Sequence, residues 1–356
     1  MKLNRIACGL AACALCMGVS AQDRADRFNL ADENSFSMLL LGDTQAYTKF
    51  DINQPILELC TAWCADNIDH LNVKAVLCTG DLVERNETHI LSPGNFNQTS
   101  SQMWDWVSHC FKRLDNKVPY IISLGNHDYG YTKGDEGFTQ FPDYFPVDRN
   151  SKWKDCLVEM MPSRMGRNTM ENSAYQFNDP AWGKILVITT EWAPRPEVLD
   201  WAKGLTEKYG DHKVIFMTHS YLEERTADYT DNEPYGISPS TYGKQIWEQL
   251  VYPSKNIVMV ICGHKGAPGD FEDSVAYRKD KNSAGHTVHQ MMFNVQTLGG
   301  GWNGNGGDGW LRILEFKPDG KTISVNTYSP LFGFSPTTRH LARRTSPIDQ
   351  FDMVID

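Results

Sequence analysis

Along the chain, short apolar runs alternate with longer stretches that mix apolar and polar positions. The runs at 37–42, 74–79, 118–124, 184–190, 213–218 and 256–262 are mostly β-branched or large apolar residues, each followed by Gly, Thr or another polar residue. Runs this short and this apolar predict strands buried inside a sheet. Stretches of helical character lie between several of them, at 54–70, 101–114, 196–209 and 241–250. Strand, helix, strand in that rhythm predicts an α/β core with both sheet faces covered.

After residue 262 the rhythm changes. "TVHQMMFNVQ", "WLRILEFKP" and "KTISVNTYS" read as consecutive strands, the last two joined by the turn "PDGK". One domain with two packed sheets, spanning 22–356, accounts for this better than two domains. Residues 129–176 lack a period and are expected to form a loop-rich insertion or small cap. Residues 299–310, "GGGWNGNGGDGW", form a Gly-rich loop, and 331–356 read as a tail on the surface.

The first 21 residues alter the compartment. Lys2 and Arg5, an apolar run and Val19-Ser20-Ala21 make a secretory leader cut after Ala21. A lipid-attachment site at Leu10-Ala11-Ala12-Cys13 is the rival, weakened by a short apolar run. The expected product is exported, periplasmic or extracellular, with no later run long enough to span a membrane. The chain's formal charge of −10 becomes −12 without the leader, which disfavours nucleic-acid partners. Nine cysteines include Cys8, Cys13 and Cys16 in the leader. Of the other six, Cys78 and Cys262 lie in strand-like runs as buried free thiols, Cys60 and Cys64 are one helical turn apart, and no spacing implies a disulfide framework.

The chemistry concentrates where the strands end. The first delivers Asp43 and Gln45, the second Gly80, Asp81 and Glu84, and the third Asn126, His127 and Asp128. Two later runs deliver His219 and His264. Loops at the carboxyl ends of strands in an α/β sheet converge on one crevice. Each residue alone reads as turn chemistry, but five such ends point to one shared metal site.

These residues resemble the calcineurin-like metallophosphoesterases. That family carries D-x-H, GD-x-x-D/E, GNH-D/E, a lone His and GH-x-H in this order. Here "GDTQ", "GDLVE", "GNHD", "THS" and "GHKG" follow that order from about residue 37 to 266. The D-T-Q form resembles an exported bacterial branch. The resemblance implies a four-layer α/β/β/α sandwich of two mixed β-sheets and two divalent cations, Mn2+, Mg2+, Zn2+ or iron. It implies hydrolysis of a small phosphorylated substrate, a phosphomonoester or phosphodiester, by a metal-activated hydroxide. Asp81 would bridge the metals, Asn126, His219 and His264 would complete one set, and Asp43 would serve the other. His127 would face the leaving oxygen, held by Glu84.

Two positions depart from the pattern, and both would serve the same metal. Gln45 stands where D-x-H has its His, and Gly266 where GH-x-H has its second His. An Asp43–Gln45–Asp81 position is oxygen-dominated and favours Mn2+, Mg2+ or Ca2+. His286 or His289 is a candidate replacement, with a structural or solvent-facing role the favoured reading for each. The alternatives are a catalytically weak or inactive ligand-binding protein with one degraded metal site, and a one-metal hydrolase of another ester. Trp192, Trp302 and Trp310 are candidate substrate-rim residues, although packing is the commoner role for each. The 129–176 insertion and the Gly-rich loop are expected to set specificity.

Overall fold

The computed structural model describes residues 27–356; the leader with Cys8, Cys13 and Cys16 lies outside that range. Residues 27–33, the described part of the first of two units, carry no helix or strand, and Asn34–Asp356 form the second unit. In chain order the second unit's early strands are β1 (Phe36–Leu41), β2 (Val73–Cys78), β3 (Tyr120–Ile122), β4 (Leu157–Met160), β5 (Ser173–Asp179), β6 (Gly183–Thr189) and β7 (Lys213–Met217). The later ones are β8 (Ile257–Cys262), β9 (Val275–Lys281), β10 (Thr287–Phe293), β11 (Leu311–Phe316), β12 (Thr322–Tyr328), β13 (Arg343–Arg344) and β14 (Phe351–Val354). Three longer helices are α1 (Gln54–Asp66), α2 (Ser100–Phe111) and α3 (Pro196–Lys208).

Two mixed sheets of seven strands result. The first runs β13-β12-β11-β1-β2-β3, with β14 beside β12, and the second runs β4-β5-β6-β7-β8-β10-β9. In the first, β1, β2 and β3 are mutually parallel while β11 pairs antiparallel to β1. The second has a parallel centre, β6-β7-β8-β10, flanked by antiparallel strands. Parallel neighbours need a crossover, and α1 and α2 supply those after β1 and β2. Every residue of β1 is buried, as its uninterrupted apolar run requires of a central strand.

The helices form where their sequences favour them. α1 has Pro55 in its first turn and buries Leu57, Cys60, Thr61 and Cys64, one face at helical spacing. α2 opens on a capping box: Thr99 Oγ1 accepts from the Gln102 N–H, and Gln102 Oε1 accepts from the Thr99 N–H. α3 buries Leu199, Ala202 and Leu205 against Leu186 and Ile188 of β6 and Val214 and Phe216 of β7. The other faces of the two sheets meet: Trp182 Nε1 donates to the Lys317 carbonyl, and Thr189 Oγ1 to that of Ile122.

The stretch 129–176 holds more order than its lack of period suggests. It contains a short helix at Phe141–Tyr144, all of β4 and the start of β5, which form one edge of the second sheet. Likewise 331–356 supplies β13 and β14, both paired to β12. β4, β13 and β14 are two to four residues long and largely half-buried or exposed, while β5 is mostly buried but mixes Ser, Gln, Asn and Asp among its apolar residues, so all four lack the apolar density that marks the central ones. Cys60, Cys64, Cys78, Cys110, Cys156 and Cys262 are all buried free thiols. Among the described residues, no helix is long and apolar enough to cross a membrane.

Candidate metal centre

The ends of β1, β2, β3, β7 and β8 meet, and hydrogen bonds lace them together. Asp43, just past β1, accepts from Thr79 Oγ1 at 2.6 Å through one oxygen and from the His264 N–H at 2.9 Å through the other. A single buried carboxylate thus ties three strand ends. Asp81 and His264 sit in left-handed backbone, at φ of 43° and 69°, a conformation costly for a non-Gly residue and typical of functional sites. Before Asp81, Gly80 allows a close approach that no side chain would: a Cβ there would lie 2.1 Å from the Ser123 carbonyl oxygen.

Asp81, His219 and His264 each present a ligand atom within 4.8 Å of the others. His219 Nδ1 is 2.7 Å from the Thr79 carbonyl and donates to it, which fixes the tautomer. Its Nε2 lies 3.3 Å from Asp81 Oδ2 yet makes no hydrogen bond. Both side-chain polar atoms of Asn126 and Oε1 of Gln45 are also buried without a partner. Leaving so many buried polar atoms unpaired is costly unless something else satisfies them. A carboxylate, two imidazoles and an amide oxygen are the donor set that a divalent cation would satisfy, so the residues present fit a metal.

Without a cation, the site holds its charge by protonation. Burial, the largest influence on His219, pushes its pKa down, but Asp81 and Asp43 outweigh it and raise it to about 10. Burial raises Asp43 to about 7 despite the opposing pull of His219. Asp81 is also pushed up by burial, but His219 and His127 overcome this and hold it well below the usual carboxylate range. Asp81 therefore stays an anion, the form in which a carboxylate can bind a cation.

His127 and Glu84 stand beside this cluster in one cavity of about 740 Å³. The His127 N–H donates to Asp81 Oδ1 at 2.9 Å. Its ring Nδ1 is held at 2.8 Å by the main-chain carbonyl of Glu84, while the Glu84 carboxylate is 3.8 Å away and faces Lys49 Nζ at 3.5 Å. The expected Glu84–His127 pair exists, but the carbonyl is the closer partner.

A family model described as calcineurin-like phosphoesterase matches residues 36–268, well over half of the chain. The chain belongs to the calcineurin-like phosphoesterases. Metal binding and hydrolysis are the chemistry of that family. An uncharacterized Bacillus subtilis protein, YvnB, is 27% identical over 301 residues, 84% of this chain but 20% of that relative. The chain thus spans about a fifth of the relative's length. A dimetal phosphatase from Danio rerio superposes with a TM-score of 0.50 at 9% identity, covering 90% of this chain and 99% of that one. That likeness is one of fold. The Plasmodium inner-membrane-complex anchor GAP50 gives a TM-score of 0.46 at 12% identity, with 91% and 90% covered.

Against the family pattern, the replacement histidines do not arrive. His289 lies mid-strand in β10, its nitrogens facing the Tyr277 hydroxyl and the Val354 carbonyl, and His286 faces the Lys255 carbonyl. Both precede the end of β10, which is the end nearest His264 because β10 and β8 are parallel. Gly266 points a would-be side chain at Asn294 and Asp273. Gln45 Nε2 donates to Asp81 Oδ2 at 3.0 Å. In this member of the family, Gln45→His is expected to raise Zn2+ affinity at least about tenfold, read by competition titration with a chelator. An unchanged affinity would show that residue 45 does not serve a metal.

Of the three tryptophans, only Trp302 lines the cavity, 45% exposed. Trp192 is fully buried behind the ligands, its ring centroid 5.5 Å from that of His219 and 5.1 Å from that of His264. Trp310 packs between Phe271 and Phe332.

One acid at the site carries no sequence signal, and the task of another shows only in the structure. Glu233 lies 3.4 Å from His264 Nε2 and 3.1 Å from Lys265 Nζ, and accepts from Ser220 Oγ. Burial, its largest influence, would raise its pKa, but His264 and Lys265 bring it down to about 2. A carboxylate there orients the ring. It sits in the irregular "DNEPYG" stretch, not at a strand end, so no pattern marks it. Asp128 was visible as the last residue of "GNHD", but not its task. It accepts from the main-chain N–H groups of Leu82, Val83 and Gly125 at 2.7 to 3.2 Å, clamping the Asp81 loop to the Asn126 loop. Asp128→Ala strands three buried donors and is expected to lower unfolding stability by about 3 kcal/mol, read by urea denaturation.

Proposed function

We propose that this chain is an exported, metal-dependent phosphoesterase that hydrolyses a phosphomonoester or phosphodiester. The observation that carries the reading is the set of buried, unpartnered donor atoms on Asn126, His219 and Gln45 around the Asp81 carboxylate. Asp81, Asn126, His219 and His264 would hold one cation, and Asp43, Gln45 and Asp81 a second. Bound cations would supply Lewis-acid polarisation of phosphoryl oxygens and a water acidified toward neutral pH. The chain itself supplies orientation: Thr79 and Glu233 fix the two imidazoles, and Asp43 fixes the His264 main chain. His127, held by the Glu84 carbonyl, is the group placed to exchange a proton with the leaving oxygen. The leader pattern supports export.

The oxygen-rich second position supports Mn2+, Mg2+ or Ca2+ there. The rival reading, a binding protein with that position degraded, is favoured by one observation, the Gln45 amide hydrogen-bonded to Asp81 where the family has an imidazole. Metal analysis of the purified chain after Mn2+ loading, coupled to p-nitrophenyl phosphate and its diester, decides between them. About two equivalents of metal with turnover of either ester supports the enzyme. Less than about one equivalent and no turnover supports the binder.

A further inference from the structure

One wall of the cavity beside the centre is cationic in a chain whose net charge is −10. Lys49, Arg85 and Lys133 line it, and among the described residues on the cavity's walls the carboxylates are Asp81 and Glu84. Three separate segments supply these cations. Lys49 follows the short helix Gln45–Thr48, Arg85 lies four residues past Asp81 in the long segment that leads to α2, and Lys133 lies in the loop after His127. Lys49 is only 5% exposed and pairs with Glu84 at 3.5 Å. The three side chains share one cavity with His127 and Asp81.

The loop that carries Lys133 is built against the centre. Arg85 Nη1 donates to the Thr132 carbonyl at 3.0 Å. At Gly134 an added Cβ would lie 2.7 Å from Trp192 Nε1 and 3.3 Å from the Asn126 Cβ, so the main chain rests directly on a metal-ligand residue. The wall is also continuous with His127, because Glu84 holds that ring through its carbonyl and Lys49 through its carboxylate. The cations thus gather on the side where the leaving group departs.

A monoester's own phosphate would be served by the metal centre, which leaves these cations with Glu84 as their counterpart on this wall. Three cations against one carboxylate leave an excess of two positive charges, which matches a phosphate dianion and exceeds what a carboxylate would offset. Trp302 and Phe96 line the same cavity, and Asn303 Nδ2 ties their loops by donating to the Gly94 carbonyl. We infer that the substrate's leaving group carries a second phosphate, gripped by Lys49, Arg85 and Lys133 while the first is hydrolysed at the centre. The inference rests on the phosphoesterase reading. In the step, a water oxygen bonds to phosphorus as the bond from phosphorus to the leaving oxygen breaks. That oxygen takes a proton, and the second phosphate departs intact with it.

The test compares kcat/KM of the Mn2+-loaded full chain on propanediol bisphosphate, propanediol monophosphate and inorganic pyrophosphate, with p-nitrophenyl phosphate as reference. A doubly phosphorylated substrate is expected to exceed the monophosphate at least about tenfold, mainly through KM. Preference for the bisphosphate assigns the second phosphate to a separate carbon, and preference for pyrophosphate assigns it to an anhydride. In the double variant Arg85→Ala/Lys133→Ala, folded by its melting curve, that preference is expected to fall to near one. Equal kcat/KM on all three, with p-nitrophenyl phosphate still cleaved, overturns the inference and leaves the phosphoesterase reading standing. A preference that survives in the double variant overturns it as well. No turnover of any ester overturns the function and the inference with it.

Discussion

Asp81→Asn is expected to lower kcat/KM by about 10³-fold or more and to release metal from both positions. Asp81 sits where every other part of the centre meets. Its Oδ2 lies 3.3 Å from His219 Nε2 and 3.0 Å from Gln45 Nε2, and its Oδ1 takes the His127 N–H at 2.9 Å. Asparagine preserves the shape but removes the charge that balances a buried cation, and it replaces one oxygen with N–H hydrogens. Those hydrogens would face either the His127 N–H or the buried donors opposite, an unfavourable contact both ways. The loop itself should survive, since Gly80 and the Asp128 clamp set the backbone independently of the Asp81 side chain. The measurement is metal content per folded chain together with ester turnover. Full metal content in Asp81→Asn would place the cations elsewhere.

Protons compete for the same site, which gives the metal dependence a direction. In the metal-free chain His219 is protonated at neutral pH, because its pKa is raised to about 10 by the two aspartates. A cation must displace that proton, so affinity should strengthen as pH rises toward 10 and weaken as it falls. Asp43, raised to about 7, adds the same trend at lower pH, since its neutral form binds cations poorly.

Much of this centre is legible in the sequence because its candidate metal-binding residues follow the central strands. β1, β2, β7 and β8 are buried on both faces, so their sequences are continuous apolar runs whose ends stand out, and Asp43, Asp81, His219 and His264 are read directly from those ends. The outer strands β4, β13 and β14 each pair with one neighbour, and β5, though paired on both sides, mixes Ser, Gln, Asn and Asp with its apolar residues, so nothing in their composition separates them from loop. The same contrast divides the site residues. Glu233 acts from an irregular segment, and Lys49 and Lys133 gain their meaning only when three distant loops line one cavity. Main-chain partners were hidden for another reason: the Thr79 and Glu84 carbonyls that set the two ring tautomers would look the same with any side chain. His286 and His289 show the limit from the opposite side. They have suitable chemistry one strand away, but parallel pairing of β10 with β8 puts the useful end at Asn294 instead.

His127→Ala is expected to lower kcat by about 10²- to 10³-fold while leaving metal content within about a tenth of the parent. The residue holds two jobs through separate atoms. Its main-chain N–H braces Asp81, and that bond persists in alanine. Its ring, with Nδ1 tied to the Glu84 carbonyl at 2.8 Å, keeps the other nitrogen available in the cavity for the proton that a departing oxygen needs. Removing the ring therefore removes proton transfer and spares the ligands. Esters with acidic leaving groups should suffer least, because p-nitrophenolate departs without help while an alkoxide does not. A larger loss on alkyl phosphates than on p-nitrophenyl phosphate is thus the diagnostic pattern. Because a carbonyl holds the ring, Glu84→Gln should cost much less than His127→Ala. Equal losses of metal and of kcat in His127→Ala would make the imidazole a ligand and move the leaving-group role to another residue.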